Sequence, residues 1–440
     1  MKVLFLCGGV GKRMLPLRED KLLTKFMGKS LLEYQVEKAG EAGFNEFVVI
    51  ANPMNIEKLQ DIMENIPGIR TEFALQEQPL GIADALQKAS RLLSEEVMVV
   101  NPNDVFESQA YVGLMKESQR KSAASYMIGY QVREYFPGGY LVVDEENRLK
   151  RIVEKPPKGE EPSNLVNILV HLHTDVDKLL RYVAVARSSR DDIYECALDN
   201  MVKDGYKIKV VPYSEFWSAI KYPWHILRIV RYFLDRSEPR VSSAARISPR
   251  ATIEGKVIIE DNVRVLENAV IRGPAYIGAN SIIGNNVLVR DYSHIGADCV
   301  VGYSTEVKGS YVGDRCWFHS NYIGDSIIAD GCSFGAGTVL ANFRFDEGSI
   351  SVRVDGEVVD TGLDKLGAMI GENSKTGVNA SILPGVRVGP NSFVGPHVCL
   401  SGDLEQDRMA LPEPRYRVMQ RQTEVDEGKK QELMKKLEKL

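Results

Sequence analysis

The sequence predicts an α/β, Rossmann-like domain with a mixed, mostly parallel sheet, followed by an all-β, left-handed parallel β-helix of hexapeptide repeats. In the first half, short β-branched runs alternate with amphipathic helical segments, which favours a mainly parallel sheet. In the second half, aliphatic residues recur every six positions, a period that no α-helix has. A polar linker at residues 237–246 separates the two patterns.

The composition limits the classes of function. At 440 residues the chain is long enough for two domains. Its net charge of -5 argues against the basic face that nucleic-acid binding requires. No apolar run reaches membrane-spanning length, and residues 1–9 do not resemble a signal peptide. We therefore expect a cytoplasmic protein that binds neither nucleic acid nor membrane.

The first domain is predicted to span residues 1–236. Strands separated by helices place ligands at the carboxyl ends of the strands, so the candidate site should lie there. The predicted strands are residues 3–6, 47–51, 97–100, 124–130 and 207–212, and the clearest predicted helices are residues 30–42 and 82–94.

The second domain is predicted to span residues 247–402. Every sixth aliphatic side chain would point into the core of a prism of short strands, with Gly, Asn or Asp in the left-handed conformation at the corners. The repeating positions are Ile247, Ile253, Ile259, Val265, Ile271, Ile277, Ile283, Val289, Ile295, Val301 and Val307.

The six-residue period is interrupted twice. It first slips in phase, and it is then broken by an insertion at about residues 343–365, where Asp355-Gly356 lies between two β-like runs as in a hairpin. Such interruptions commonly carry function in repeat proteins. The shifted positions are Val312, Phe318, Ile323, Ile328, Phe334 and Leu340, and the period resumes at Ile370, Thr376, Ile382, Val388 and Val394.

The C-terminal residues 403–440 form a charged tail. Leu433, Leu437 and Leu440 share one face of a predicted helix at residues 429–440. We interpret this helix as a cap or a loosely attached segment; binding of a partner is the alternative.

A glycine-rich turn follows the first predicted strand. Gly8, Gly9 and Gly11 would let backbone N–H groups approach a phosphate, and Lys12 and Arg13 add positive charge. Such a loop alone is a weak signal.

The loop resembles the G-x-G-x-R-M-x-P-L signature of the sugar nucleotidyltransferase (nucleoside-diphosphate-sugar pyrophosphorylase) family, and the resemblance continues in order along the first domain. An ordered set of motifs is far more specific than any one of them. Residues 20–29 are similar to the family's P-K-x-L-x-x-x-x-G-K segment, 78–85 to its base-binding turn, 101–104 to its metal-binding strand end, 136–140 to its glycine near the sugar and 154–156 to its sugar-phosphate clamp.

The resemblance implies a role for each matching residue. A sugar phosphate would attack the α-phosphorus of UTP or dTTP and expel pyrophosphate, so the protein must mainly position anions and neutralise charge. The implied roles are phosphate stabilisation by Arg13 and Lys21, Mg²⁺ binding by Asp104, nucleotide binding by Gly8, Gly9, Gly11, Gln78 and Gly81, and sugar-phosphate binding by Gly139, Glu154 and Lys155.

The first domain departs from the family pattern in places. Residues 217–224 resemble the W-x-D-I-G-Y-P-W segment, but Ala219 stands where a second metal-binding aspartate is common. The glycine usual after Asn167 is absent, and Asp20 replaces a proline. Since alanine cannot bind a cation, either Asp104 and the triphosphate oxygens hold Mg²⁺, or nucleotidyl transfer is weakened or lost.

A second set of motifs lies at the phase slip. Residues 318–325 and 334–342 match H-x-x-Y-x-G-D and G-A-G-T-x-x-x-N, the pattern of the acetyltransferase half of the bifunctional glucosamine-1-phosphate acetyltransferase/N-acetylglucosamine-1-phosphate uridyltransferase family. The insertion and residues 365–371 resemble archaeal-type members. Ser333 replaces a usual asparagine, and Gly348 falls near an expected lysine.

This second resemblance implies an acyl-transfer site. His319 would deprotonate the amino group of a hexosamine-1-phosphate, and Arg290 and Lys308 would bind its phosphate. Tyr322 and Asn342 would orient the sugar, with acetyl-CoA along the outer coils. The resemblance also implies a homotrimer formed through the β-helix, with acyl sites between neighbouring chains.

Three hypotheses follow. The first is a bifunctional enzyme that acetylates a hexosamine-1-phosphate and couples the product to a nucleotide. The second keeps only nucleotidyl transfer and makes the β-helix a trimerisation or regulatory scaffold. The third, suggested by Ala219, is a non-catalytic sugar-nucleotide-binding subunit.

Overall fold

The α/β domain is built on a nine-stranded sheet. The computed structural model describes residues 1–190, 192–413, 418–420 and 426–437. All five predicted strands are present. The strands of the sheet are β1 (Lys2–Leu6), β2 (Glu46–Ala51), β3 (Arg70–Leu75), β4 (Val97–Val100), β5 (Ser125–Gln131), β6 (Gly139–Val143), β7 (Leu149–Glu154), β8 (Leu165–His173) and β9 (Ile208–Tyr213).

The sheet is mixed, as predicted. Its main order is β7-β6-β8-β4-β1-β2-β3, and β9 joins through β5, which pairs with β8. Strands β4, β1, β2 and β3 run parallel, whereas β8 runs antiparallel to both β4 and β5. Helices accompany the sheet: α1 (Leu31–Glu41), α2 (Ile56–Glu64), α3 (Gly81–Ala89), α4 (Gln109–Ser118), α5 (Val176–Val185), α6 (Ile193–Lys203) and α7 (His225–Arg236).

The six-residue period forms a three-faced parallel β-helix, also as predicted. Its strands are short because each face turns at a corner. The first face contains Arg240–Val241, Val257–Ile259, Ala275–Ile277, Ser293–Ile295, Tyr311–Val312, Ile327–Ile328, Met369–Ile370 and Arg387–Val388; the second Arg246–Ile247, Arg264–Val265, Ile282–Ile283, Val300–Val301, Trp317–Phe318, Ser333–Phe334, Lys375–Thr376, Phe393–Val394 and Met409–Ala410; the third Thr252–Glu254, Val270–Arg272, Leu288–Arg290, Glu306–Lys308, Tyr322–Gly324, Val339–Leu340, Ser381–Ile382 and Cys399–Leu400.

The register explains the phase slip. Ile277 pairs with Ile295, 18 residues on, whereas Ile295 pairs with Val312, 17 residues on, and Val307 pairs with Ile323, 16 residues on. The aliphatic side chains remain stacked because the shortening occurs at corners. Corner residues adopt positive φ, among them Asn262, Asn268, Asn280, Asn286 and Asp298.

The insertion forms the expected hairpin. Ser351–Val354 pairs with Glu357–Asp360 across Asp355 and Gly356, whose φ angles are 50° and 86°. Two consecutive positive φ angles match a two-residue hairpin turn. Val352 and Val354 are buried in the same apolar cluster as the α/β domain. That cluster also includes β-helix residues such as Tyr311 and Met369, so the insertion packs where the two domains meet.

The two domains pack directly on each other. Lys25 forms an ion pair with Asp314 at 2.9 Å, and the Met27 N–H donates to His294 Nε2 at 3.3 Å. The His294 ring stacks between Tyr276 and Tyr311, with centroids 4.8 Å from each. Buried aromatic and polar contacts of this kind hold the two domains together.

The ends of the β-helix reach beyond the predicted residues 247–402. Arg240–Val241, inside the predicted linker, pairs with Val257–Ile259, and Met409–Ala410 pairs with Phe393–Val394. A final helix, α8, spans Glu427–Leu437, and its Leu433 and Leu437 side chains are exposed. Leu440 lies outside the described residues. Over that described part of the chain, no helix combines the length and apolar character needed to span a bilayer.

Candidate active sites

The sheet gathers the predicted nucleotide-site segments at one edge. Strands β1 and β4 are adjacent and parallel, so the loop from Gly8 to Gly11 and the segment from Asn101 to Asp104 leave the sheet side by side. Strand β8 runs antiparallel to β4, so its first residues, including Asn167, lie at the same edge. Three chain segments distant in sequence thus meet at one end of the sheet.

The glycine-rich loop has specific steric needs. A Cβ on Gly8 would lie 2.1 Å from the Gln76 side-chain oxygen, so a larger residue cannot fit there without displacing Gln76. Gly11 has a φ of 59° and precedes a short 3₁₀ helix, Lys12–Met14. The loop thereby presents Lys12 and Arg13 to the adjoining cavity.

This cavity, here called the central cavity, has a volume of about 600 Å³. Most of the predicted nucleotide-site residues line it, which places phosphate-binding and sugar-binding candidates around one space. Its lining residues are Gly11, Lys12, Arg13, Met14, Lys21, Ile82, Asn101, Asp104, Phe136, Pro137, Gly138, Gly139, Glu154, Lys155, Asn167, Leu169, Glu195, Trp217, Lys221 and Asp355.

Asp104 is held at the wall of the central cavity. The Trp217 indole N–H donates to its Oδ2 at 3.0 Å. Burial raises the pKa of Asp104, whereas this hydrogen bond and the charges of Lys221 and Lys21 lower it. Burial lowers the pKa of Lys21, and Asp104 opposes that shift. The arrangement keeps a carboxylate and two ammonium groups close together.

The sugar-phosphate residues predicted from sequence also meet. Lys155 and Glu154 form an ion pair at 3.2 Å. A Cβ on Gly139 would lie 2.9 Å from Glu154 Oε2, so a larger residue there would shift that carboxylate. Glu154 and Lys155 also line a second cavity of about 500 Å³, which Gly81 borders.

Three predicted nucleotide contacts, Gly8, Gly9 and Gln78, line neither of these two cavities. Gln78 is exposed and lines neither cavity, and its backbone carbonyl accepts a hydrogen bond from the Leu80 N–H. Gly8 is buried against Gln76. Gln76, which the sequence reasoning missed, is buried and donates to the Gly81 carbonyl at 3.0 Å and to Asp84 at 2.9 Å, so it fixes the turn.

Lys221 is a cavity residue that the sequence reasoning also missed. Its ammonium group donates to the Pro137 carbonyl at 2.6 Å and lies 3.7 Å from the centre of the Phe136 ring. Burial lowers the pKa of Lys221 to about 8, although Asp104 and Glu154 act in the opposite direction. The sequence did contain a signal for Lys221, because the W-x-D-I-G-Y-P-W segment has glycine at this position.

A buried hydrogen-bonded chain lies behind the central cavity. Asn167 Oδ1 is 2.7 Å from His171 Nε2, and Tyr194 Oη is 2.7 Å from His171 Nδ1 and 2.8 Å from His173 Nε2. His173 Nδ1 lies 2.8 Å from Ser125 Oγ. Burial lowers the pKa of His173 to about 3, so both rings of the chain are neutral. No motif in the sequence predicted this network.

The β-helix insertion contributes to the same cavity. Asp355, at the tip of the hairpin, lines it together with residues of the α/β domain. The sequence predicted the hairpin but not its position. Only tertiary packing, through Val352 and Val354, brings it there.

The described residues offer a limited fit for Mg²⁺. Asp104 supplies one carboxylate, and Ala219 pairs directly opposite it in the two-stranded ladder of Asp104–Phe106 and Trp217–Ala219. An aspartate at residue 219 would share that face of the ladder. Among the described residues no three carboxylate, imidazole or thiol groups cluster as a metal site. One carboxylate suits a cation that keeps water and phosphate ligands.

The candidate acyl-transfer residues cluster on the third face of the β-helix. Arg290 and Lys308 are register partners in successive coils. Arg290 bonds to Glu306 at 2.7 Å, and Lys308 to Asp325 at 2.6 Å. The Asn342 amide also donates to Asp325. Both cations are thus paired with carboxylates of their own chain.

Tyr322 joins this cluster, whereas His319 does not. A Cβ on Gly324 would lie 2.8 Å from both Tyr322 Oη and Asn342 Nδ2, which places those two groups together. His319 is exposed at the corner where the third-face strand Tyr322–Gly324 begins. Arg290 and Lys308 stand where their third-face strands end. Within one chain, His319 and the two cations therefore lie at opposite ends of the third-face strands.

Comparison with known proteins agrees with both domains. A family model described as nucleotidyl transferase matches residues 2–220, and one described as bacterial transferase hexapeptide (six repeats) matches residues 256–291 and 367–402. The first span contains the glycine-rich loop and most of the residues that line the central cavity. Over the second lie coils on both sides of the insertion.

Curated relatives cover nearly the whole chain. The chain is 37% identical over 411 residues to the bifunctional protein GlmU of Methanococcus maripaludis (strain C7), covering 92% of this chain and 96% of that protein. It is 30% identical to the bifunctional sugar-1-phosphate nucleotidylyltransferase/acetyltransferase of Sulfurisphaera tokodaii, covering 92% and 98%. A solved UDP-glucose pyrophosphorylase from Acinetobacter baumanii shares 19% identity over 53% of this chain and 94% of its own, with a TM-score of 0.45.

Proposed function

The chain belongs to the two-domain GlmU family of bifunctional sugar-1-phosphate nucleotidylyltransferase/acetyltransferase proteins, and from this premise we propose that it is an enzyme with both activities. In the central cavity it transfers a nucleotidyl group from UTP or dTTP to glucose-1-phosphate or N-acetylglucosamine-1-phosphate. On the β-helix it acetylates a hexosamine-1-phosphate with acetyl-CoA. We also assign both reactions to the cytoplasm.

One observation supports the first activity most strongly. The glycine-rich loop, Arg13, Lys21, Asp104 and the Glu154–Lys155 pair border one cavity at the ends of the strands. The sequence motifs predicted these residues to bind the triphosphate, the metal and the sugar phosphate. A chance collection of surface charges would not converge in this way.

The first reaction needs little covalent chemistry from the protein. A sugar-phosphate oxygen bonds to the α-phosphorus as the bond to the leaving pyrophosphate breaks, and charge grows on the phosphoryl oxygens. Arg13 and Lys21 stabilise that charge, and Lys155 orients the attacking phosphate. Glu154 accepts hydrogen bonds from sugar hydroxyls. Gly9 and Gly11 allow close approach of the triphosphate, while Gly81 and Gln78 are assigned to the base.

Mg²⁺ belongs to this first reaction. Asp104 would hold it together with triphosphate oxygens and water, and its charge would offset that of the leaving pyrophosphate. Because Ala219 supplies no second ligand, Asp104 is the one residue of this pair that we assign to the metal.

The second reaction needs a base and a phosphate site. The acceptor's amine nitrogen attacks the thioester carbon while His319 accepts a proton from that nitrogen. The C–S bond breaks as the amide forms, and the protonated imidazole returns the proton to the departing CoA thiolate. Arg290 and Lys308 bind the acceptor phosphate, and Tyr322 and Asn342 orient its sugar ring. His319 and the two cations stand at opposite ends of the third-face strands, which supports a homotrimer whose site combines residues of two chains.

A paired assay of the full-length protein tests the proposal. Pyrophosphate release would be followed from UTP or dTTP with either sugar-1-phosphate and Mg²⁺, and CoA release from acetyl-CoA with glucosamine-1-phosphate. We expect both products. Pyrophosphate alone would leave the β-helix as a scaffold, CoA alone would show that the Ala219 site is inactive, and neither would favour a sugar-nucleotide-binding subunit.

A further inference from the structure

Two changes distinguish the segment at residues 217–224 from the W-x-D-I-G-Y-P-W pattern that it otherwise resembles. Ala219 replaces the aspartate, and Lys221 replaces the glycine. The segment has therefore lost one negative charge and gained one positive charge within three residues. Both changes act on the same wall of the central cavity, because Ala219 pairs with Asp104 and Lys221 lines the cavity.

The Lys221 side chain is held in place. One ammonium proton is donated to the Pro137 carbonyl, and the Phe136 ring lies beneath the ammonium group at 3.7 Å. These contacts satisfy only part of the hydrogen-bonding capacity of an ammonium group, which has three donors. They fix the group at the cavity wall without a direct ion pair among the described residues.

The charges around Lys221 come from both halves of the cavity. Asp104 and Arg13 act on it from the triphosphate side, and Glu154 and Lys155 act on it from the sugar-phosphate side. Glu154 is already paired with Lys155. Asp104 already accepts the Trp217 N–H. Lys221 thus lines the same cavity as the two groups of residues that would bind the reacting phosphates.

We propose that Lys221 binds a phosphoryl oxygen of the substrates and supplies part of the positive charge that a second metal-binding carboxylate would otherwise recruit. This inference rests on the proposed nucleotidyltransferase function. It makes phosphate binding by this chain less dependent on Mg²⁺ than the family pattern implies. Lys21, which donates to the Ile220 carbonyl at 3.2 Å, supports the same segment from its other side.

The test measures binding rather than turnover. Calorimetric titration of the full-length protein with UTP, and separately with N-acetylglucosamine-1-phosphate, would be performed in excess EDTA and again with Mg²⁺. A lost hydrogen bond to a charged group costs about 10- to 100-fold in affinity. We expect Lys221→Met to weaken metal-free binding of at least one ligand by that factor, and the affected ligand identifies which phosphate Lys221 contacts.

A matched control and a restoring variant sharpen the test. Lys158 is an exposed lysine outside the cavity, and Lys158→Met should bind both ligands as the natural chain does. The double variant Ala219→Asp with Lys221→Gly restores the family pattern. It should bind UTP weakly in EDTA and regain affinity with Mg²⁺. If Lys221→Met does not fold, Lys221→Arg keeps the charge and should retain metal-free binding.

Several results would overturn the proposal. Unchanged metal-free affinity of Lys221→Met for both ligands would do so, as would an equal loss in Lys158→Met. Loss of metal-free binding in a folded Lys221→Arg would also contradict it. If the natural chain binds UTP but Lys221 has no influence, only this inference fails; if it binds neither ligand in any condition, the proposed nucleotidyltransferase function fails as well.

Discussion

The two candidate sites differ in how their cations are balanced. In the central cavity, Lys155 is paired with Glu154, whereas Lys21 and Lys221 form no direct ion pair among the described residues. The charge of Asp104 acts on both of these lysines, and that of Glu154 also acts on Lys221. On the third face of the β-helix, Arg290 and Lys308 are each paired with a carboxylate of the same chain. The first site is ready to receive anions, whereas the second must exchange internal ion pairs for a ligand.

The sites also differ in completeness. Every segment assigned to nucleotidyl transfer, even the hairpin of the insertion, reaches the central cavity within one chain. At the second site, His319 is exposed and lies apart from Arg290 and Lys308. Under the proposed function, the sheet edge assembles the first site from one chain, whereas a neighbouring chain would complete the second site.

The largest effect should come from the base of the second site. Replacing His319 by alanine removes the proton acceptor, and we expect CoA release to fall by about 10²- to 10⁴-fold. Pyrophosphate release should not change. His397→Ala, at another exposed corner of the β-helix, is the control. Equal CoA release by both variants would show that His319 has no catalytic role.

A substitution in the first site should lower pyrophosphate release instead of CoA release. Lys21→Ala removes an ammonium group close to Asp104, so we expect pyrophosphate release to fall by about 10²- to 10³-fold with CoA release intact. Lys29→Ala serves as the control, because Lys29 is an exposed lysine of the same segment and pairs with Glu37. A loss of both activities in Lys21→Ala would point to misfolding instead.

The buried network behind the first cavity should make stability depend on pH. His173 has a pKa of about 3 in the folded state, against about 6.5 when unfolded. The unfolded state therefore binds more protons, and stability is lost as pH falls from 6.5 towards 3.

As the pH falls from 7.5 to 5.5, this one histidine should lower the free energy of unfolding by about 1.4 kcal/mol. Denaturant unfolding at both pH values would measure it. In His173→Gln, whatever its overall stability, the free energy of unfolding should no longer show this contribution to the pH dependence. In His397→Gln, where the replaced histidine is exposed, the contribution should remain. An unchanged pH dependence in His173→Gln would show that His173 is not neutral when folded.

The smallest effect should come from the hairpin tip. Asp355 is exposed and lines the central cavity. Asp355→Asn should change the KM for the sugar-1-phosphate by a few-fold at most, in keeping with one exposed hydrogen-bonding group. Glu357→Gln, on the exposed side of the same hairpin, should change nothing. Equal changes in this KM for both variants would show that the hairpin tip is not part of the site.

Much of the fold could be predicted from the sequence because it depends on local periodicity. The six-residue spacing from Ile247 to Val307 predicted the prism, and Asp355-Gly356 predicted the hairpin turn. Strands β3, β7 and β8 were not predicted, since polar residues interrupt their apolar patterns. Strand β6, the short run Gly139–Val143, was not predicted either. Their place in the sheet depends on pairing with distant strands.

The sites were predictable only where a motif stood in sequence. Arg13, Lys21, Asp104, Glu154 and Lys155 were found this way, and the structure brings them together. The chain from Asn167 to Ser125, the buried Gln76 and the position of Asp355 depend on tertiary packing, so no local pattern revealed them. Lys221 could have been identified from sequence, because it replaces the glycine of the W-x-D-I-G-Y-P-W segment.

Subunit complementation tests the central claim most directly, namely that the first site is complete in one chain and the second spans two. Differently tagged His319→Ala and Lys308→Ala chains would be coexpressed, and mixed assemblies isolated through both tags. Each mixed trimer should contain one intact interface and regain about one third of the CoA release of the natural protein. A mixture of Lys21→Ala and Asp104→Ala chains should regain no pyrophosphate release. Absence of CoA release from the first mixture, or recovery of pyrophosphate release in the second, would contradict this account.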